Sequence, residues 1–92
     1  MKDFNVAILG CGTVGGGVAR IMMEMEEKLS QSSEQAIHLT TIVELLAEEA
    51  SERFNIPGEL FCGGGKNINK EEANKYIEEV LADDSIDLVV ET

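Results

Sequence analysis

Gly10, Gly12 and Gly15 stand at G-x-G-x-x-G spacing within Gly10-Cys11-Gly12-Thr13-Val14-Gly15. Glycines so placed suit chemistry carried by the backbone. Gly10 permits a tight turn off a strand, and Gly12 offers no Cβ to obstruct a pyrophosphate approaching the main chain. Gly15 lets a helix pack close to that strand. The helix start at Thr13 and Val14 then presents free N–H groups and a positive dipole end to phosphates. The second chemical candidate is Glu44. A carboxylate at the end of the second strand accepts hydrogen bonds from adenosine ribose hydroxyls and repels a 2′-phosphate; the other reading of Glu44 is that it caps or solvates the next helix. It follows the glycines at more than the usual interval of ~20 residues, because a long helix and a loop intervene. The residues after it, Leu45, Leu46, Ala47, Glu48 and Glu49, supply no cation. The pattern therefore predicts a dinucleotide cofactor, NAD rather than NADP, with NADP still possible.

These residues need elements to hold them. The apolar run Val6-Ala7-Ile8-Leu9 predicts a strand over Asn5 to Leu9, buried on both faces because it does not alternate. A helix is expected from Thr13 to about Leu29, with Val14, Val18, Ile21, Met22, Met25 and Leu29 as its inward stripe. The polar stretch Ser30 to Gln35 predicts a loop, and the β-branched Ile37 to Val43 a second strand. Leu45 to Asn55 follows as a helix with Leu46, Ala47, Ala50 and Phe54 inward, stopped by Ile56-Pro57-Gly58. Glu59 to Cys62 is expected as a short third strand. Asn69 and Glu72 have capping-box spacing and start a third helix that runs to about Ala82, with Ala73, Tyr76, Ile77, Val80 and Leu81 on one face. Asp83-Asp84-Ser85 turns the chain into a fourth strand, Ile86 to Glu91.

Other reactive residue types have plainer roles. Gly63-Gly64-Gly65-Lys66 fails the phosphate-loop pattern, since Leu60 stands where its first glycine belongs and Asn67 where Ser or Thr belongs; a flexible connector is expected. His38, the only histidine, falls at the strand's entrance, opposite the end where nucleotides bind, and is expected at the surface or edge. Cys11 and Cys62 form no C-x-x-C pair and are expected as reduced thiols, Cys11 packed beside the glycine loop. Asp83, Asp84 and Asp87 match no calcium loop, and no metal site or catalytic set is expected.

With 92 residues, 43% hydrophobic and 27% charged, the chain has the size and balance of one small globular domain. No apolar run approaches the ~20 residues of a membrane helix, and the start lacks a signal-peptide layout, so a cytoplasmic location is expected. A net charge of −11 argues against nucleic acid. Oligomeric state is not encoded in any pattern here.

Strand and helix alternate, so the expected fold is α/β: a Rossmann-type doubly wound parallel sheet, in three α/β/α layers. Right-handed crossovers predict the strand order 3-2-1-4, the first half of such a sheet. A complete dinucleotide fold has two halves. Residues 1–92 are therefore expected to be a cofactor-binding domain, the N-terminal piece of a longer enzyme.

VAILGCGTVGGGVARI resembles the opening of homoserine dehydrogenases, G-x-G-T-V-G-x-G-V after a strand; Gly10, Gly12, Thr13, Val14, Gly15, Gly17 and Val18 all fit. The segment Val80 to Glu91 is similar to that family's helix-to-strand stretch ending in V-V-E. The resemblance implies NAD(P)-dependent interconversion of homoserine and aspartate semialdehyde in threonine and methionine synthesis. It implies that the backbone of Gly12 to Val14 holds the pyrophosphate, and that Glu91 and Thr92 approach the nicotinamide ribose. Many members carry an Arg where this chain has Glu44. The family's catalytic residues lie in a later substrate domain, so no turnover is expected from these residues alone. A regulatory or stand-alone nucleotide-sensing Rossmann module is the alternative.

Overall fold

Val6, Ala7 and Ile8 are almost wholly removed from solvent, as a continuous apolar run requires when both faces of its strand are covered. In a computed structural model, which describes residues 2–10, 13–29 and 35–91, this strand is β1 (Lys2–Leu9). It is the centre of a three-stranded parallel sheet. Helix α1 (Thr13–Leu29) leads to β2 (Gln35–Val43), which is followed by α2 (Ala47–Phe54). Helix α3 (Lys70–Ala82) leads into β3 (Leu88–Glu91), and the strand order is β2-β1-β3.

Consecutive strand residues face opposite sides, and the core divides accordingly. Ile8 and Ile42 pack with Ala19 of α1 and with Ala47 and Ala50 of α2. Ala7 and Val43 pack with Ala73 and Val80 of α3. The result is an α/β, Rossmann-like arrangement with α1 and α2 on one face and α3 on the other. A register shift in β2 opposite Val6 and Ala7 explains why Leu39 and Ile42, three positions apart, share the α1 face: one extra residue offsets the period of two.

The expected third strand, Glu59 to Cys62, does not form. Gly58–Leu60 is a 3-10 turn instead, and its bonds from Leu60 N–H to Pro57 O and from Phe61 N–H to Gly58 O use donors that a ladder would need. Only Phe61 pairs with β2, through a single parallel bridge to Ile42. The four-strand order 3-2-1-4 is thus replaced by three strands, with Phe61 alone beside β2. The strand expected from Ile86 begins at Leu88, because the Ile86 N–H donates to Asp83 O within the preceding turn. Asn5 pins that turn: its side chain donates to Ser85 O, and its backbone exchanges bonds with Asp87. Strands β1 and β2 start earlier than expected, at Lys2 and Gln35; residues 30–34 of the expected loop lie outside the described residues.

The inward face of α1 is as expected at Val18 and Met22, which pack on the core, and differs from expectation elsewhere. Ile21 and Met25 are 58% and 42% exposed, whereas Ala19 is buried and Met22 and Met23 pack on the core. The cause is Gly16. A Cβ there would lie 2.1 Å from the Phe54 ring, so α1 rests on α2 through Gly16 and turns Ala19, Met22 and Met23 inward. Val14 and Leu29 of the expected stripe lie outside the described side chains. Leu46 and Leu81, also expected inward, are exposed. The capping box forms: Asn69 Oδ1 accepts from Glu72 N–H at 2.8 Å and Glu72 Oε1 from Asn69 N–H at 3.2 Å.

Candidate functional site

Parallel strands all point their C-terminal ends the same way, and ligands of open α/β sheets bind outside those ends. Here β1 ends at Gly10, whose φ of 89° lies in the left-handed region; an L side chain would be strained there. That turn brings the Gly10 N–H to Val43 O at 2.7 Å, tying the ends of β1 and β2 together. Cys11 and Gly12 lie outside the described residues, as does Thr92. Thr13, Val14 and Gly15 form the first turn of α1, the place the sequence gives them, with side chains outside the described residues.

Glu44 follows β2 directly. Its Oε2 accepts the Leu46 N–H at 2.8 Å, which delays α2 to Ala47. Glu91 ends β3 and is exposed. Both carboxylates line one open cleft of about 490 Å³ at the strand ends, together with Leu9 and Gly10. The far wall is the first two turns of α3, where Ala73 and Ile77 give an apolar surface and Lys70 and Asn74 a polar one. Of the site residues expected from the sequence, the cleft therefore unites Gly10, Glu44 and Glu91. It adds Lys70 and Asn74, which no motif marked; their presence depends on α3 crossing to the far face.

Asn67 is another residue the sequence did not mark. Leu46, at the N-cap of α2, offers no side-chain cap. Asn67 Oδ1 accepts the Glu48 N–H at 3.0 Å, and Glu48 Oε2 accepts the Asn67 N–H at 3.2 Å. The helix start is thus capped from a remote loop. The glycine run before Asn67 is a compact turn, with Gly64 N–H bonded to Phe61 O at 3.0 Å and Gly65 so close to Gly58 that a Cβ would meet its Cα at 2.8 Å.

His38 is half-buried on β2, away from the cleft, and its Nδ1 lies 2.7 Å from Glu26 Oε1 of α1; it bridges helix to sheet rather than standing at a bare edge. Cys62 is a free thiol 3.2 Å from Thr41 Oγ1. Among the described residues no group of three or more His, Cys, Asp or Glu is placed to hold a metal. Nor, among them, is any helix long and apolar enough to cross a membrane.

The cleft combines an apolar wall, a strand-end carboxylate able to accept hydrogen bonds from hydroxyls, and a glycine turn open to close backbone approach. Fold and cleft together define the class, a Rossmann-like α/β chain with a candidate nucleotide cleft. Comparison with known proteins narrows it. The chain is 34% identical over 94 residues to a homoserine dehydrogenase of Lactococcus lactis, covering 95% of this chain and 18% of that protein. It is 30% identical over 91 residues to the homoserine dehydrogenase of Methylobacillus glycogenes, covering 99% and 19%. A homoserine dehydrogenase of Neisseria gonorrhoeae matches at 36% over 50 residues, 54% of this chain and 12% of that protein. The chain is thus related in sequence to homoserine dehydrogenases, oxidoreductases, and spans under a fifth of their length. No protein-family model and no solved structure matches it.

Proposed function

We propose that this chain is the NAD(P)-binding, N-terminal part of a cytoplasmic homoserine dehydrogenase, which interconverts L-homoserine and L-aspartate 4-semialdehyde in threonine and methionine synthesis. The observation that carries the reading is the strand-end cleft bounded by Gly10 and Glu44, in a chain related to homoserine dehydrogenases over almost all of its residues. The nicotinamide cofactor supplies the hydride acceptor when bound. This chain's residues bind and orient it: the Gly12–Val14 backbone at the pyrophosphate, Glu44 at the adenosine ribose, Glu91 and Thr92 towards the nicotinamide ribose. The amino-acid substrate is held by residues outside this chain.

The test is calorimetric titration of the protein with NAD⁺ and NADP⁺, unaltered and as Glu44→Gln. The amide keeps an acceptor for the Leu46 N–H and removes the charge. NAD⁺ affinity is expected to fall roughly tenfold, the size of one charge-assisted hydrogen bond, and the gap to NADP⁺ to narrow. Equal affinities in both proteins for both coenzymes would remove Glu44 from the site. Failure of the unaltered protein to bind either coenzyme would end the cofactor reading.

A further inference from the structure

Asn67, Ile68 and Asn69 are consecutive, and each is fastened to a different place. Asn67 Oδ1 accepts the Glu48 N–H at 3.0 Å, and the Asn67 N–H donates to Glu48 Oε2 at 3.2 Å. The Ile68 N–H donates to Leu45 O at 3.0 Å, while its side chain is buried with Val43 and Ala73. Asn69 Oδ1 caps α3 at the Glu72 N–H. One short segment therefore fastens the starts of both α2 and α3. Those starts flank the strand-end cleft, with Glu44 and Leu45 lining one side and Lys70, Ala73 and Asn74 the other.

Glu44 depends on this fastening. Its carboxylate is oriented by the Leu46 N–H at 2.8 Å, and Leu46 is the N-cap residue of α2, with no side-chain cap of its own. Where the Leu46 N–H points is set by the bonds on either side of it: Ile68 at Leu45 O and Asn67 at the Glu48 N–H. The Asn67 bond runs through a side chain, so a substitution removes it and leaves the other in place. Resting on the cofactor reading above, we infer that Asn67 is a positioning residue for coenzyme binding, holding the turn from which Glu44 presents its carboxylate to the cleft. Asn67 itself is not among the residues that line the cleft. Without its cap the Glu48 N–H turns to water and the first turn of α2 frays. A bound ribose must then order the Glu44 carboxylate itself, and that ordering weakens binding.

The experiment is a double-mutant cycle read by calorimetric titration with NAD⁺, on the protein unaltered and as Asn67→Ala, Glu44→Gln and the two combined. Asn67 is exposed, so its truncation leaves the core intact. Circular dichroism melting fixes a temperature at which every variant is folded, which separates affinity from stability. Asn67→Ala should weaken NAD⁺ about three- to fivefold, the size of one lost cap. On the Glu44→Gln background it should add less than about twofold, because the charge it positions is already gone. Asn67→Asp keeps an acceptor for the Glu48 N–H and should restore affinity to within about twofold. A purely structural Asn67 would lower the melting temperature and leave affinity alone, or weaken binding equally on both backgrounds; either result overturns the assignment while the cofactor reading stands. A coenzyme-free readout stands beside the cycle: hydrogen exchange at the Leu46 amide should quicken in Asn67→Ala, and an unchanged rate overturns the positioning role by itself. If the unaltered protein does not bind NAD⁺, the cofactor reading falls and this assignment with it.

Discussion

Gly16 and Gly17 are neighbours in α1 with opposite surroundings. A Cβ on Gly16 would be driven into the Phe54 ring, while one on Gly17 meets nothing within 4 Å. Gly16→Ala should therefore cost about 1–3 kcal/mol by overpacking the α1–α2 contact. Gly17→Ala should stabilise by about 0.5–1 kcal/mol, because an open helix-interior glycine only adds backbone entropy to the unfolded chain. Urea denaturation of both variants checks the pair, and the same sign for both would contradict this packing. Both glycines belong to the motif region, and spacing alone does not separate their roles. The carboxylate of Glu44 was more legible: its place after β2 was expected, and its bond to the Leu46 N–H agrees with the capping role open to it from the sequence.

Within the connection between α3 and β3, which Asn5 pins from β1, the Asp83 side chain holds Ser85. Asp83 Oδ1 accepts from Ser85 Oγ at 2.6 Å and from Ser85 N–H at 2.9 Å. Those bonds, the hydroxyl's first and the backbone's second, hold the carboxyl below its usual range. A carboxylate with a lowered folded pKa contributes stability above its unfolded value, and the contribution is lost as pH falls through the folded one. Ser85→Ala should move the Asp83 titration upward towards the ordinary carboxylate range, read by carbon-detected NMR. A titration left where it was would show that Ser85 does not set it. The elements themselves were largely legible. The α1 limits, the Asn69 capping box and the burial of the first strand followed from periodicity and caps. The third strand was not, since the turn bonds around Pro57 and Gly58 outcompete a ladder that the composition of Glu59 to Cys62 would permit.

At the scale of the molecule, a net charge of −11 on 92 residues opposes compaction through self-repulsion. Thermal stability should rise between roughly 10 mM and 150 mM salt, as the Debye length falls from about 30 to 8 Å, and differential scanning calorimetry reads the shift. A melting temperature indifferent to salt would mean that the carboxylates are already too dispersed to repel. The sequence by itself determined the alternation of strand and helix, the glycine turn at the end of β1 and the carboxylate after β2, because these are local: each depends on residue types within a few positions. Tertiary structure alone decided which face of α1 is buried, that Asn67 caps α2, and that Lys70 and Asn74 share a cleft with Glu44 and Glu91. Those outcomes depend on how α3 crosses the sheet and how closely Gly16 lets α1 approach Phe54, contacts between residues that the linear pattern holds far apart.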